Sequence, residues 1–157
     1  MTLEKGDLAP DFALADQHGE KHRLSDYQGR WVLVYFYPRD DTPGCTKEAC
    51  AIRDNFSEFQ AVNAKVLGIS TDTVASHEKF AEKYNLPFTL LADDGQQVVE
   101  QYGVWGEKTS FGKTYFGTKR MSFLVDQEGK IAKVYKTVKP AGHALHVLGD
   151  IETLAGG

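Results

Sequence analysis

The chain is poor in cysteine: Cys45 and Cys50 are its 2 cysteines in 157 residues. A disulfide-stapled scaffold is therefore excluded, and a chain of this length can bury a sizeable core without staples. With 5 scattered histidines beside those cysteines, a structural zinc site, which takes about four ligands, is not expected. No run of about eighteen apolar residues occurs, so no transmembrane helix is expected. Basic residues are not in surplus either. Lys and Arg number 18 against 22 Asp and Glu, a formal net charge of −4, which argues against nucleic acid or an acidic membrane as partner. The first residues, Met-Thr-Leu-Glu-Lys-Gly-Asp, lack the basic-then-apolar order of a secretory leader. The cytoplasm is the expected compartment, and disulfides there are usually transient and catalytic. Asn55-Phe-Ser57 matches a glycosylation sequon and, without secretion, is read as chance. Repeats, low-complexity tracts and linkers are also missing, so residues 1–157 are expected to form one domain.

What is present is an alternation of strand-like and helix-like segments. Residues 11–24 read as a hairpin about the turn Asp16-Gln-His-Gly19. Trp31-Val-Leu-Val-Tyr-Phe-Tyr37 is a continuous apolar run, which suits a strand buried on both faces. From Thr46 to about Val62, Ala49, Ile52, Phe56 and Phe59 recur near helical spacing. Residues 65–70 are a second strand. Asp72 or Thr73 can cap a helix running through Tyr84, with His77 and Phe80 along it. Residues 88–91 are a third strand, and a short helix over 96–102 closes at Gly103. Residues 105–118 carry three glycines and little periodicity and read as a loop. Residues 120–125 and 131–135 pair as a hairpin, and Ala141 to Leu154 forms the last helix. The predicted class is α/β: a thioredoxin-like fold with a central mixed β-sheet flanked by helices and an N-terminal β-hairpin extension.

Both cysteines fall in Tyr37-Pro-Arg-Asp-Asp-Thr-Pro-Gly-Cys-Thr-Lys-Glu-Ala-Cys50, where the chain leaves the buried strand and enters a helix. Pro43 and Gly44 break the strand and place Cys45 in the first helical turn. Unpaired N–H groups and the positive end of the helix dipole favour negative charge there. The thiolate is the nucleophilic form of cysteine. A buried cysteine acting as a small hydrophobe is the plainer reading, and the Pro-Gly-Cys turn outweighs it. Gly44 lets a substrate approach the backbone closely.

Cys50 lies within the same predicted helix. Five residues of intact helix give ~7.5 Å of rise and ~140° of rotation. The two Cα atoms are then about 8.6 Å apart, beyond the ~7 Å reach of a disulfide. The pair is either unrelated or a redox pair coupled to local unwinding. The spacing is not the Cys-x-x-Cys of a dithiol oxidoreductase.

These residues resemble the peroxiredoxins, specifically the bacterioferritin comigratory protein or peroxiredoxin Q subfamily. The family motif Pro-x3-Thr-x2-Cys is met by Pro38, Thr42 and Cys45, and the longer string by Thr42-Pro-Gly-Cys-Thr-x-Glu-Ala-Cys50. Gly6-Asp-x-Ala-Pro10, Leu67-Gly-Ile-Ser-x-Asp72, Gly103-Val-Trp-Gly-Glu-Lys108 and Arg120-x-Ser-Phe-Leu-Val-Asp126 extend the similarity along the chain. The resemblance implies a thiol peroxidase that reduces hydrogen peroxide and organic hydroperoxides through a sulfenic acid at Cys45. It implies that the Thr42 hydroxyl orients the peroxide, Arg120 stabilises the thiolate, Pro38 shields it, and the N–H groups of Gly44 and Cys45 complete the pocket. By charge alone Arg39 and Arg53 are equal candidates, and Arg120 is chosen on the family pattern. The resemblance also assigns Cys50 as the resolving cysteine, giving a Cys45–Cys50 disulfide reduced by a thioredoxin-type protein or glutaredoxin. No metal or organic cofactor is required. A monomer is expected, because the tail Ile151-Glu-Thr-Leu-Ala-Gly-Gly157 carries no thiol.

Other signals carry less. Gly106-Glu-Lys-Thr-Ser-Phe-Gly-Lys-Thr114 has the look of a phosphate loop and the wrong glycine spacing. His143 and His146 read as a solvated face or a cap, and His18 and His22 as surface residues. Glu48 reads as an acid that favours a helix N-terminus. A general disulfide oxidoreductase and a redox-sensing or chaperone-like interaction protein are the rival functions. In the latter, unwinding of the Cys45–Cys50 helix would expose Ala49 and Ile52.

Overall fold

The structure, a computed structural model, describes residues 3–156. In chain order the elements are β1 (Ala13–Asp16), β2 (Lys21–Arg23), a 3-10 turn (Leu24–Tyr27), β3 (Trp31–Phe36), α1 (Pro43–Asp54), α2 (Phe56–Ala61), β4 (Ala64–Ser70), α3 (Val74–Tyr84), β5 (Thr89–Ala92), α4 (Gln97–Gln101), β6 (Trp105–Ser110), β7 (Lys113–Thr118), β8 (Met121–Val125), β9 (Ile131–Tyr135) and α5 (His143–Gly156). Seven strands form one mixed sheet in the order β2-β1-β5-β4-β3-β8-β9. The middle strands β5, β4 and β3 are parallel, and the flanking pairs are antiparallel.

The apolar run at 31–36 becomes an interior strand of the sheet, between β4 and β8, because it has no polar face to show. All six residues of β3 are buried, and the side-chain period of two sends alternate residues to opposite layers. Trp31, Leu33 and Tyr35 pack with Ala49 and Ile52 of α1, Phe59 of α2, Phe80 of α3, and Ala144, Val147 and Ile151 of α5. Val32, Val34 and Phe36 pack on the other side with Phe12, Leu24, Val98, Val99 and Tyr102. Among the described residues no helix is long and apolar enough to cross a membrane.

Three sequence expectations need correction. Residues 105–118 are an antiparallel hairpin, β6 with β7, rather than a loop. This ribbon stands apart from the main sheet and Phe111, Tyr115 and Phe116 on it are exposed, so no buried face imposes an apolar period. The helix expected over 46–62 is two helices, because Asn55 interrupts it and turns its Nδ2 back onto the Ala51 carbonyl. His143 is buried and hydrogen-bonded to the Ser122 hydroxyl at 2.8 Å, not solvated; burial and the nearby His146 push it down to about 4.

Candidate active site

The loop from Tyr37 to Thr42 delivers the chain from the middle of the sheet to α1. The Tyr37 N–H still bonds to the Ile69 carbonyl at 3.1 Å, after which Pro38 forbids further strand pairing. Asp41 turns the chain with φ of 57°, a left-handed conformation that Asp tolerates better than most residues. Thr42 is the N-cap of α1 and Pro43 opens the helix. The Thr42 side chain makes no cap bond; its hydroxyl donates to the Arg39 carbonyl at 2.9 Å. The first helical bond runs from the Thr46 N–H to the Thr42 carbonyl at 2.8 Å. The helix therefore gives no partner to the N–H groups of Gly44 and Cys45.

Cys45, Glu48, Ala49 and Ile52 form the buried stripe of α1, at helical spacing. Cys45 is 2 % exposed and Cys50 is half-buried, and both thiols are free. Arg120, just before β8, reaches the stripe from across the sheet. Its Nη2 donates to the Cys45 sulfur at 3.3 Å and its Nη1 to Glu48 Oε1 at 2.8 Å. A Cβ at Gly44 would stand 2.9 Å from that Nη2, so only glycine lets the guanidinium lie flat against the helix start. The Cys45 and Glu48 charges hold Arg120 above its ordinary pKa despite the opposing effect of burial.

Pro38, Arg39 and Thr42 line a cleft whose far wall is Trp105, Tyr115 and Phe116 of the β6–β7 ribbon. Of the expected residues, the structure thus brings Cys45, Gly44 and Arg120 into contact, and sets Thr42 and Pro38 on one cleft at the same helix start. Cys50 sits further along α1. The rival Arg53 is turned away, donating to the Tyr84 carbonyl at 2.7 Å, and Arg39 is exposed on the cleft rim.

Glu48 is a residue the sequence reading undervalued. It is wholly buried, and its Oε2 has no hydrogen-bond partner. Burial pushes its carboxyl up to about 7, outweighing the attraction of Arg120. An acid on an otherwise apolar helical stripe, three residues from the cysteine, was the available signal. Asp40 and His77, both buried beside the loop, were also missed.

This geometry has relatives. Residues 5–134 match the AhpC/TSA family. The chain is 54% identical over 141 residues to peroxiredoxin Bcp of Escherichia coli K12, covering 90% of each chain. It is 44% identical over 155 residues to peroxiredoxin Bcp of Bacillus subtilis, covering 99% of each. Among solved structures it superposes on a PrxQ mutant of Xylella fastidiosa with TM-score 0.93 and 31% identity, over 99% of each chain. It also superposes on the bacterioferritin comigratory protein of Xanthomonas campestris with TM-score 0.89 and 35% identity, over 98% of each. A family match over most of the sequence, in a thioredoxin-like fold with a cysteine under an arginine at a helix start, makes this chain a member of the AhpC/TSA family, a thiol peroxidase of its Bcp/peroxiredoxin Q group.

Proposed function

We propose that the protein reduces hydrogen peroxide and organic hydroperoxides at Cys45 and resolves the product with Cys50. The observation that carries the reading is the 3.3 Å contact between Arg120 and the Cys45 sulfur, which sets a fixed cation on a nucleophile at a helix N-terminus. The Xanthomonas relative, whose structure is described in terms of alkyl peroxide reduction, supports the substrate class.

In the first step the Cys45 thiolate attacks the nearer peroxide oxygen. The O–O bond breaks, an S–O bond forms, and the farther oxygen leaves as an alkoxide or hydroxide that takes up a proton. Sulfur is oxidised to the sulfenic acid and the peroxide is reduced to an alcohol or water. Arg120 and the N–H groups of Gly44 and Cys45 are donors for the charge that develops on oxygen. The Thr42 hydroxyl already donates its hydrogen bond to the Arg39 carbonyl, so toward the peroxide it is an acceptor and takes the hydroperoxide O–H. That O–H is on the attacked oxygen, and the bond orients it for the sulfur while the farther oxygen, bearing the alkyl group, is the one that leaves. Pro38 keeps water from the thiolate.

In the second step the Cys50 sulfur attacks the sulfenic sulfur, water leaves, and a disulfide forms. The start of α1 unwinds to allow it. A thioredoxin-type dithiol, or glutaredoxin, then reduces the disulfide by thiol exchange. The unit acts as a monomer in a reducing, cytoplasmic compartment.

The test is intact mass after one equivalent of hydrogen peroxide, on the parent and on Cys50→Ser. A loss of two hydrogens in the parent and one added oxygen at Cys45 in the variant is expected. An added oxygen that persists in the parent would remove Cys50 from the cycle. No rapid change in either protein would end the peroxidase reading.

A further inference from the structure

Outside the thiol site, Asp40, Asp72 and His77 bring side-chain ligand atoms within 4.8 Å of one another. Hydrogen bonds already use those atoms. Asp72 Oδ2 accepts from the Asp40 N–H at 2.8 Å and from the Ser70 hydroxyl at 2.6 Å. Asp40 accepts from the Tyr37 hydroxyl at 2.6 Å through Oδ1 and from the Ser76 hydroxyl at 2.8 Å through Oδ2. His77 is 0 % exposed, with Nε2 2.8 Å from the Leu91 carbonyl and Nδ1 2.7 Å from Asp40 Oδ2.

The protons follow from these partners. A carbonyl can only accept, so Nε2 carries a proton. Nδ1 shares its hydrogen bond with Asp40 Oδ2, and Asp40 takes the Tyr37 and Ser76 hydroxyls as well. Such a pair is costly to break from one side, because the remaining polar group is left buried and unmatched.

The pair's place in the chain gives it a use. Asp40 stands two residues before Thr42 and two after Pro38. It ties that loop, by side chain and backbone, to α3 and to the residues that follow β4. Three residues beyond Thr42 is Cys45, on the turn of α1 that must unwind if Cys50 is to resolve the sulfenic acid. The neighbouring tie, Asp41 to Lys83 and Tyr84, is exposed and contributes little in water.

We propose that Asp40 and His77 are positioning residues: their buried hydrogen bond clamps residues 37–42 to α3, so that Pro38 and Thr42 hold the peroxide site while α1 unwinds beyond them. The second half of this statement rests on the Cys45–Cys50 reading above. The clamp acts on the two chemical steps differently. Attack needs Thr42 and Pro38 in register with the sulfur, so it slows when the clamp is lost. Resolution needs α1 to open, so it does not.

The experiment measures both steps on the full reduced chain by rapid mixing with hydrogen peroxide, acid quench and intact mass. The attack constant is read in a Cys50→Ser background, where the added oxygen accumulates; the resolution constant is read with Cys50 present, as two hydrogens are lost. His77→Gln and Asp40→Asn are expected to lower the attack constant at least about tenfold and to leave the resolution constant unchanged or raised. Ser76→Ala keeps the Asp40–His77 hydrogen bond and removes one donor to Asp40; it should show the same split at about two- to threefold. Lys83→Ala, on the exposed tie, should match the parent. In proton NMR the reduced parent should show an exchange-protected, downfield imidazole N–H that Asp40→Asn abolishes. An attack constant equal to the parent's in folded Asp40→Asn, or in Ser76→Ala where the others fail to fold, overturns the clamp. So does an equal fall of both constants. A parent that never loses two hydrogens defeats the resolving role of Cys50 instead, and the attack constants still judge the clamp.

Discussion

Glu48 and Cys45 stand three residues apart on the buried stripe of α1 and share one cation, the guanidinium of Arg120. On the proposed reading the sulfur is the nucleophile; the carboxyl holds the guanidinium that reaches that sulfur. An anchor of this kind is costly when ionised, because Glu48 is wholly buried.

That cost has a pH signature. Burial raises the Glu48 carboxyl from 4.5 to about 7. A raised carboxyl binds more protons in the folded than in the unfolded state between those two values. Its stabilising contribution is thus present below 4.5 and lost as pH rises through 7. Urea unfolding of reduced protein across this window should show the parent losing roughly 3 kcal/mol relative to Glu48→Gln. Parallel pH curves for the two proteins would refute the assignment.

Gly44→Ala tests the seat of Arg120. The new Cβ would meet Nη2 at 2.9 Å, and the cheapest relief is to swing the end of that flexible side chain away. The fold should survive with little change in Tm, while the bimolecular rate with hydrogen peroxide drops about tenfold to a hundredfold. Unchanged kinetics in the folded variant would mean that the arginine contact does not matter for attack.

Gly68→Ala should behave in the opposite way, as a stability mutation. Gly68 pairs with Tyr35 across β3 and β4, and a Cβ there would lie 2.7 Å from Cζ of that buried ring. Both strands are interior, so neither can yield. A loss of roughly 1–3 kcal/mol is expected on thermal or urea unfolding, and a neutral result would show that the ring has room to move.

The layers of the fold were readable because β3 is a continuous apolar run and the inner faces of α1, α3 and α5 are periodic in apolar residues. Cys45 was readable for a local reason: Pro43 and Gly44 sit between a strand and a helix. Arg120 was not readable from pattern. It lies 75 residues from the sulfur it touches, and no spacing rule spans that distance, so only the family resemblance selected it. Asp40 and His77 were invisible for a similar reason. Each looks like an ordinary loop or helix residue until the packing of α3 against the sheet closes them together. The β6–β7 ribbon was missed because its residues are largely exposed, and exposure erases the alternation by which strands are recognised.

The stripe that sets Cys45 in α1 also carries Ala49 and Ile52, which are almost completely enclosed. A disulfide from Cys45 to Cys50 would draw on that packing, so the oxidised protein would carry a conformational debt that reduction releases. For a two-electron couple, about 1.4 kcal/mol of lost packing raises the reduction potential by about 30 mV. On the proposed Cys45–Cys50 cycle the folded helix would thus act as a spring on the redox couple, pulling the enzyme back to its dithiol form and easing the work of whichever donor restores it.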